Sequence, residues 1–150
     1  MPAARTGVYP CYENQFKIGD ASDSVTPAPA TAIANCEEFS VAFDNGVEEW
    51  NAFEQEGWKS RLLTAKSITI SVKAKRTIGD TGNDLIASLA YVNGRDAERN
   101  FLWTLPNGAT VLFKNAVISV GNSGSGTSTS VAPLEFDVMS NGKPVYTPAA

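Results

Sequence analysis

Ser67-Ile68-Thr69-Ile70-Ser71-Val72-Lys73-Ala74-Lys75 alternates without a break. Ile68, Ile70, Val72 and Ala74 fall on one side, and Thr69, Ser71, Lys73 and Lys75 on the other. That period of two describes a half-buried strand with one wet face. Gly79-Asp80-Thr81-Gly82 ends it, and the period then changes. In Asn83–Val92, Leu85, Ile86 and Leu89 share one helical stripe, so a helix is expected over about residues 82–92. Thr81 with Asp84 has the spacing of a capping box, and Asn93-Gly94 supplies a stop. One long amphipathic strand therefore feeds the one convincing helix. The rest of the chain reads as strand and turn.

Upstream, Phe39, Val41 and Phe43 alternate with Ser40 and Ala42, and Asp44-Asn45-Gly46 follows. Asn-Gly beside an alternating run predicts a tight hairpin, because both central residues of that turn need positive φ. The return limb would be Val47–Gly57, with Trp50 and Phe53 among glutamates, and Trp58–Leu63 would lead into the organising strand. Val8–Tyr12 and Gln15–Ile18 are short strand candidates. Gly19–Ala34 is small, polar and Pro-rich, a loop or arm within the weakly patterned residues 1–35 that orders only against a neighbour.

Downstream, Phe101, Trp103 and Leu105 share a face, and Pro106-Asn107-Gly108 turns the chain. In Ala109–Val120 the apolar phase slips from Val111 and Phe113 to Ala116, Ile118 and Val120, which predicts a bulge near Lys114-Asn115. A loop over residues 121–128 precedes a last alternating run, Val131–Met139, then a turn at Asn141–Pro144 and a short tail. The expected fold is mainly β: one domain over residues 1–150, an antiparallel sandwich or partial barrel with the helix covering an opening.

Composition bounds the function. The 150 residues are 43% hydrophobic and 19% charged, with net charge −4. A net acidic chain is poorly suited to sequence-independent gripping of nucleic acid. No apolar run is long enough to span a bilayer as a helix, and Met1–Arg5 does not read as a signal peptide. Cys11 and Cys36 could pair in principle; two cysteines in a domain of this size without a secretory signal read rather as free thiols in a reducing compartment. With no histidine in the chain, the commonest general base and most zinc chemistry are missing. The cysteines lack metal-like spacing. Gly121-x-x-Gly124-x-Gly126 lies between strands, without the helix N-terminus a phosphate cradle needs. Glu37/Glu38 and Glu48/Glu49 are strand neighbours that point to opposite faces, so neither pair makes a dyad. No catalytic constellation, cofactor site or metal site is expected.

Charge is segregated instead. Seven acids and no base lie between Glu37 and Glu56, then six bases and no acid between Lys59 and Arg76. Two readings stay open. Opposite charges on adjacent strands pair within one sheet, or the acidic element of one subunit meets the basic element of the next. Trp50 and Trp58, set in this charged region, suit an interface. The candidate inter-subunit residues are Glu48, Glu49, Trp50, Glu54, Glu56, Trp58, Lys59 and Arg61.

The runs Phe39–Trp50, Glu56–Arg76 and Gly79–Asp84, with the ending Val131–Pro144, resemble the major tail proteins, or tail tube proteins, of long-tailed bacteriophages. The resemblance spans roughly residues 36–144 and consists of structural residues. It implies a β-sandwich subunit without enzymatic activity, six to a ring, with inner strands joined into a continuous barrel. Rings would stack around a tape measure protein, between tail initiator and terminator proteins. Genomic DNA would pass transiently and non-specifically through the lumen, with no membrane contact. The implied location is the virion tail, assembled in the host cytoplasm. Two other classes are open: a soluble β-sandwich module binding carbohydrate through Trp50, Trp58 or Trp103, and a hydrolase built on scattered carboxylates.

Overall fold

A computed structural model describes residues 7–19 and 31–148. It contains eight strands: β1 (Gln15–Ile18), β2 (Thr31–Ala32), β3 (Cys36–Asn51), β4 (Lys59–Lys75), β5 (Glu98–Thr104), β6 (Thr110–Ser123), β7 (Pro133–Met139) and β8 (Val145–Thr147). The one α-helix among the described residues, α1, is Thr81–Ser88, prolonged by a 3-10 turn over Leu89–Tyr91. All strands join one antiparallel sheet in the order β2-β1-β5-β6-β7-β4-β3, and β8 pairs with β6 beyond the end of β7.

The sheet curls until its two ends meet without hydrogen-bonding into a barrel. Phe16 of β1 lies edge-on to Phe39 of β3, with ring centroids 5.0 Å apart. Inside the curl, Ile70, Val72 and Ala74 of the organising strand pack with Phe101, Phe113, Ile118, Leu134, Phe136 and Val138. Ile86, Ala87 and Leu89 of the helical segment join that core. The mainly β architecture with one flanking helix is as expected.

Several local expectations are corrected. Asn45-Gly46 is not a turn. The pairing of β3 with β4 runs through it, from Cys36 opposite Ala74 to Asn51 opposite Lys59, with a register shift between Gly46 and Val47. Gly46 is needed for close approach rather than for positive φ, since a Cβ there would sit 2.8 Å from that of Ala65. The turn falls instead at a 3-10 segment, Phe53–Gln55, followed by Glu56 in the left-handed region (φ 53°) and Gly57 (φ 89°). Val8–Tyr12 is not a strand; Cys11–Glu13 form a 3-10 turn. The short tail is a strand, β8.

The helix cap is Asp80, not Thr81: its side chain accepts the Asn83 N–H at 3.0 Å. Asp80 wins because the same carboxylate also accepts the Ala34 N–H at 3.1 Å, a long-range bond no local spacing reveals. Of the proposed arm, residues 20–30 lie outside the described residues. Thr31–Ala34 are not loose: β2 pairs with β1, and Ile33 is buried. Gly82 admits this packing, because a Cβ there would lie 2.3 Å from the Ala32 carbonyl oxygen. The bulge occurs where expected. Lys114 and Asn115 together face Asn100, Asn115 takes φ 52°, and its N–H donates to Asn100 Oδ1 at 2.9 Å.

Candidate functional site

The curled body accounts for only half of the two longest strands. β7 pairs with β4 from Thr69 to Lys75. The Lys59–Ser67 half of β4 has no strand on that edge among the described residues, and β3 has none along its whole outer edge. A two-stranded ribbon therefore leaves the sheet and carries its distal half, about 30 Å at ~3.3 Å per residue, away from the core. No residue of β3 is fully buried, nor any of β4 before Ile70. A ribbon wet on both faces and open at both edges has no stability source of its own beyond cross-strand pairs.

Its side chains fall into two zones. Near the body the face away from the core carries Ser40, Ala42 and Asp44 across from Ser71, Thr69 and Ser67, a run of small polar groups. Toward the tip the ribbon turns apolar on both faces. Val47 faces Leu63, while Glu48 and Trp50 lie across from Leu62 and Ser60. Phe53 is 103% exposed, Trp58 79%, and Trp50, Leu62, Leu63 and Val47 about half exposed. The turn itself is firmly made, with Trp58 N–H on the Gln55 carbonyl at 2.9 Å and Ser60 Oγ donating to Gln55 Oε1.

The eight residues nominated from sequence all lie on this distal ribbon or its tip. Their charges do not all point outward to a partner. Lys59 Nζ lies 2.8 Å from Glu49 Oε2, and Arg61 Nε 3.4 Å from Glu49 Oε1, within the same ribbon. The hydrogen bond from Lys59, with the charge of Arg61, holds the Glu49 carboxyl below its ordinary range. For these three the pairing is across the sheet of one subunit; exposed pairs of this kind contribute little. Glu37 is likewise paired, 3.2 Å from Lys75. Glu48, Glu54 and Glu56 make no ion pair among the described residues. The apolar set Val47, Phe53, Leu62 and Leu63 was not nominated. Its signal was available: the adjacent pair Leu62-Leu63 breaks the alternation that a strand with one wet face would keep.

A second feature lies at the other end of β3. Where the sheet ends approach, a cleft of about 500 Å³ is lined by Cys11, Tyr12, Phe16, Ile33, Cys36 and Phe39, with Lys17, Glu37 and Glu38 among its polar lining. Both cysteines are free. Burial, reinforced by the charge of Asp80, pushes the Cys36 thiol up from 9.0 to about 11. The folded protein thus holds that proton more tightly than the unfolded chain. Its contribution to stability is complete below pH 9.0 and is lost as the pH rises toward about 11. A Cys36→Ala variant should lack that alkaline loss in denaturant titrations on either side of pH 9.0, and exposed Cys11 should alkylate before Cys36. Equal alkylation rates would show that the burial of Cys36 is not retained in solution.

No group of three or more metal-binding side chains occurs among the described residues. Trp103, one anchor of the carbohydrate-binding alternative, is half-buried, its Nε1–H on Asn14 Oδ1 at 2.9 Å and its ring against Phe39 at 6.1 Å.

No protein-family model matches the sequence, and no curated protein matches it. Solved structures do match the fold. A chain in the tail of an empty gene transfer agent particle, computed by helical refinement with C6 symmetry, aligns at TM-score 0.69 and 18% identity over 94% of this chain and 100% of that one. A chain of the sheath/tube terminator of an extracellular contractile injection system aligns at 0.65 and 17%, over 97% of this chain and 100% of that one. A chain of the anti-feeding prophage cap, which terminates a tube, aligns at 0.60 and 12%, covering 99% and 97%. The fold is thus the one seen in chains of a gene transfer agent tail, a sheath/tube terminator and a tube-terminating cap. This chain has that fold across nearly its whole length.

Proposed function

We propose that this protein is a structural subunit of a phage or phage-like tail tube, without enzymatic activity, that assembles with copies of itself. The observation that carries the reading is the ribbon of β3 and β4. It has open edges, two wet faces and an exposed apolar tip, a form that becomes stable only when other subunits cover it. Open edges joined head to tail in a closing ring leave none unpaired. Six subunits to a ring, and rings stacked into a channel for the genome, are the finer form of the reading, supported by the C6 symmetry of the similar gene transfer agent tail. A tape measure protein inside, initiator and terminator proteins at the ends, and assembly in the host cytoplasm before incorporation into the virion tail belong to the same proposal.

The interface would use Glu48, Trp50, Glu54, Glu56 and Trp58 toward the neighbouring subunit. Glu49, Lys59 and Arg61 would stiffen the ribbon from within, their outer edges remaining accessible to a partner. The face of small side chains, Ser40, Ala42, Ser67, Thr69 and Ser71 with the one acid Asp44, would suit a channel wall, since it offers a passing polymer no bulky anchor. Sedimentation and negative-stain imaging of purified protein test the reading. Rings or tubes should form without any added cofactor; monomer at every concentration, even with a tail initiator complex present, would overturn it.

A further inference from the structure

We infer that the ribbon tip of one subunit docks in the cleft between β1 and β3 of another copy, and that this contact sets axial growth. The inference rests on the tube-subunit reading. Its observations are the two features that the subunit leaves open, and their placement. The tip follows Asn51 and the cleft adjoins Cys36–Phe39, so they lie at opposite ends of the same strand. At ~3.3 Å per residue they are roughly 45 Å apart. A donor at one end and a receptor at the other make a heterologous contact. Repeated by translation it does not close, and it propagates along the strand direction.

The chemistry matches. The cleft floor is apolar and aromatic, Phe16 against Phe39 beside Ile33. The tip presents Phe53 and Trp58, the two aromatics of the ribbon least covered by their own subunit. An apolar cavity of about 150 Å³ already admits a benzene ring, so a 500 Å³ cleft has room for an aromatic side chain and its flanks. Charge supplies one partner as well. Of the charged groups lining the cleft, Glu37 is held by Lys75, whereas Lys17 and Glu38 make no ion pair among the described residues. Glu54 and Glu56, which flank the tip aromatics, make none either. Lys17 is therefore the cleft group that can meet the two uncompensated acids of the tip.

Cys11, exposed and lining the cleft, reports on the contact directly. In wild-type protein its maleimide labelling should slow at least about tenfold on assembly, the loss of access expected when a neighbour covers a surface residue. Trp58→Cys, co-assembled as a minor fraction with wild-type protein, should form a disulfide to Cys11 of another copy when oxidised glutathione is added. Two thiols are then oxidised and one glutathione disulfide is reduced to two thiols. Peptide mapping should locate that bond, and Cys11→Ser should abolish it. Tubes in which Cys11 labels as fast as in the free subunit, or in which the crosslink maps elsewhere, would overturn the docking while leaving the tube reading intact. Absence of any assembly would remove both.

Discussion

Asn83→Ala should cost about 3 kcal/mol of folding stability, the sum of two or more buried polar groups left without partners at ~1–3 kcal/mol each. Asn83 is fully buried. Its Nδ2 donates to the Lys75 carbonyl at 2.8 Å and the Ala34 carbonyl at 3.4 Å. Its Oδ1 accepts from the Thr77 N–H and from Arg76 Nη1, both at 2.9 Å. One side chain therefore closes the end of β4, the start of α1 and the segment entering β3. For a chain of this size the loss corresponds to a drop of about 10 °C in melting temperature. Asp84→Asn is the contrast. Asp84 pairs with the same Arg76 at 2.7 Å, and the hydrogen bond from Arg76 lowers its carboxyl from the ordinary range. The group is exposed, however, so the midpoint should move far less. Thermal or denaturant melts of the two variants check the order; an Asn83→Ala protein that melts with wild type would show that this network does not organise the junction.

The same junction shows how far the sequence was legible. Alternation from Ile68 to Ala74 places the buried strand correctly, and the phase slip at Lys114-Asn115 locates the bulge, because both signals are written in consecutive residues. Asp80 as the cap, and Asn83 as a buried polar hub, depend on Ala34, nearly fifty positions away, which no local period reports. Asn45-Gly46 failed for a related reason. The dipeptide favours a turn locally, yet eight cross-strand pairs on one side of it and five on the other hold it extended, and tertiary pairing overrides a two-residue preference. On the ribbon, charge segregation marks this element, and within it Glu49 pairs with Lys59 and Arg61 of the same subunit. A sequence shows that acids and bases are separated, but only the register shows that Lys59 and Arg61 sit within reach of Glu49 on the same subunit. The apolar character of this end is legible in Trp50 and Trp58, and in Leu62-Leu63, whose adjacency breaks the alternation.

The weight therefore shifts from charge to apolar burial, and the expected consequence is large. Replacing Phe53 and Trp58 together by Ser should leave the isolated subunit's stability within about 0.5 kcal/mol, because surface side chains away from the core contribute that little. Assembly should respond very differently. Covering one large apolar side chain is worth ~1.5–3 kcal/mol, so two of them, partly covered in the assembled state, amount to about 3 kcal/mol for every subunit added. That raises the critical concentration for tube growth by about a hundredfold. Sedimentation across a dilution series, beside thermal melts of the same preparations, separates the two quantities. Exposed ion pairs repeated along the assembly could not produce such an effect individually, and added salt, which screens charge but strengthens apolar association when sulfate is used, should favour growth of the wild-type protein. A double variant that assembles at the wild-type concentration would place the binding energy elsewhere on the ribbon, on its open edges rather than its tip.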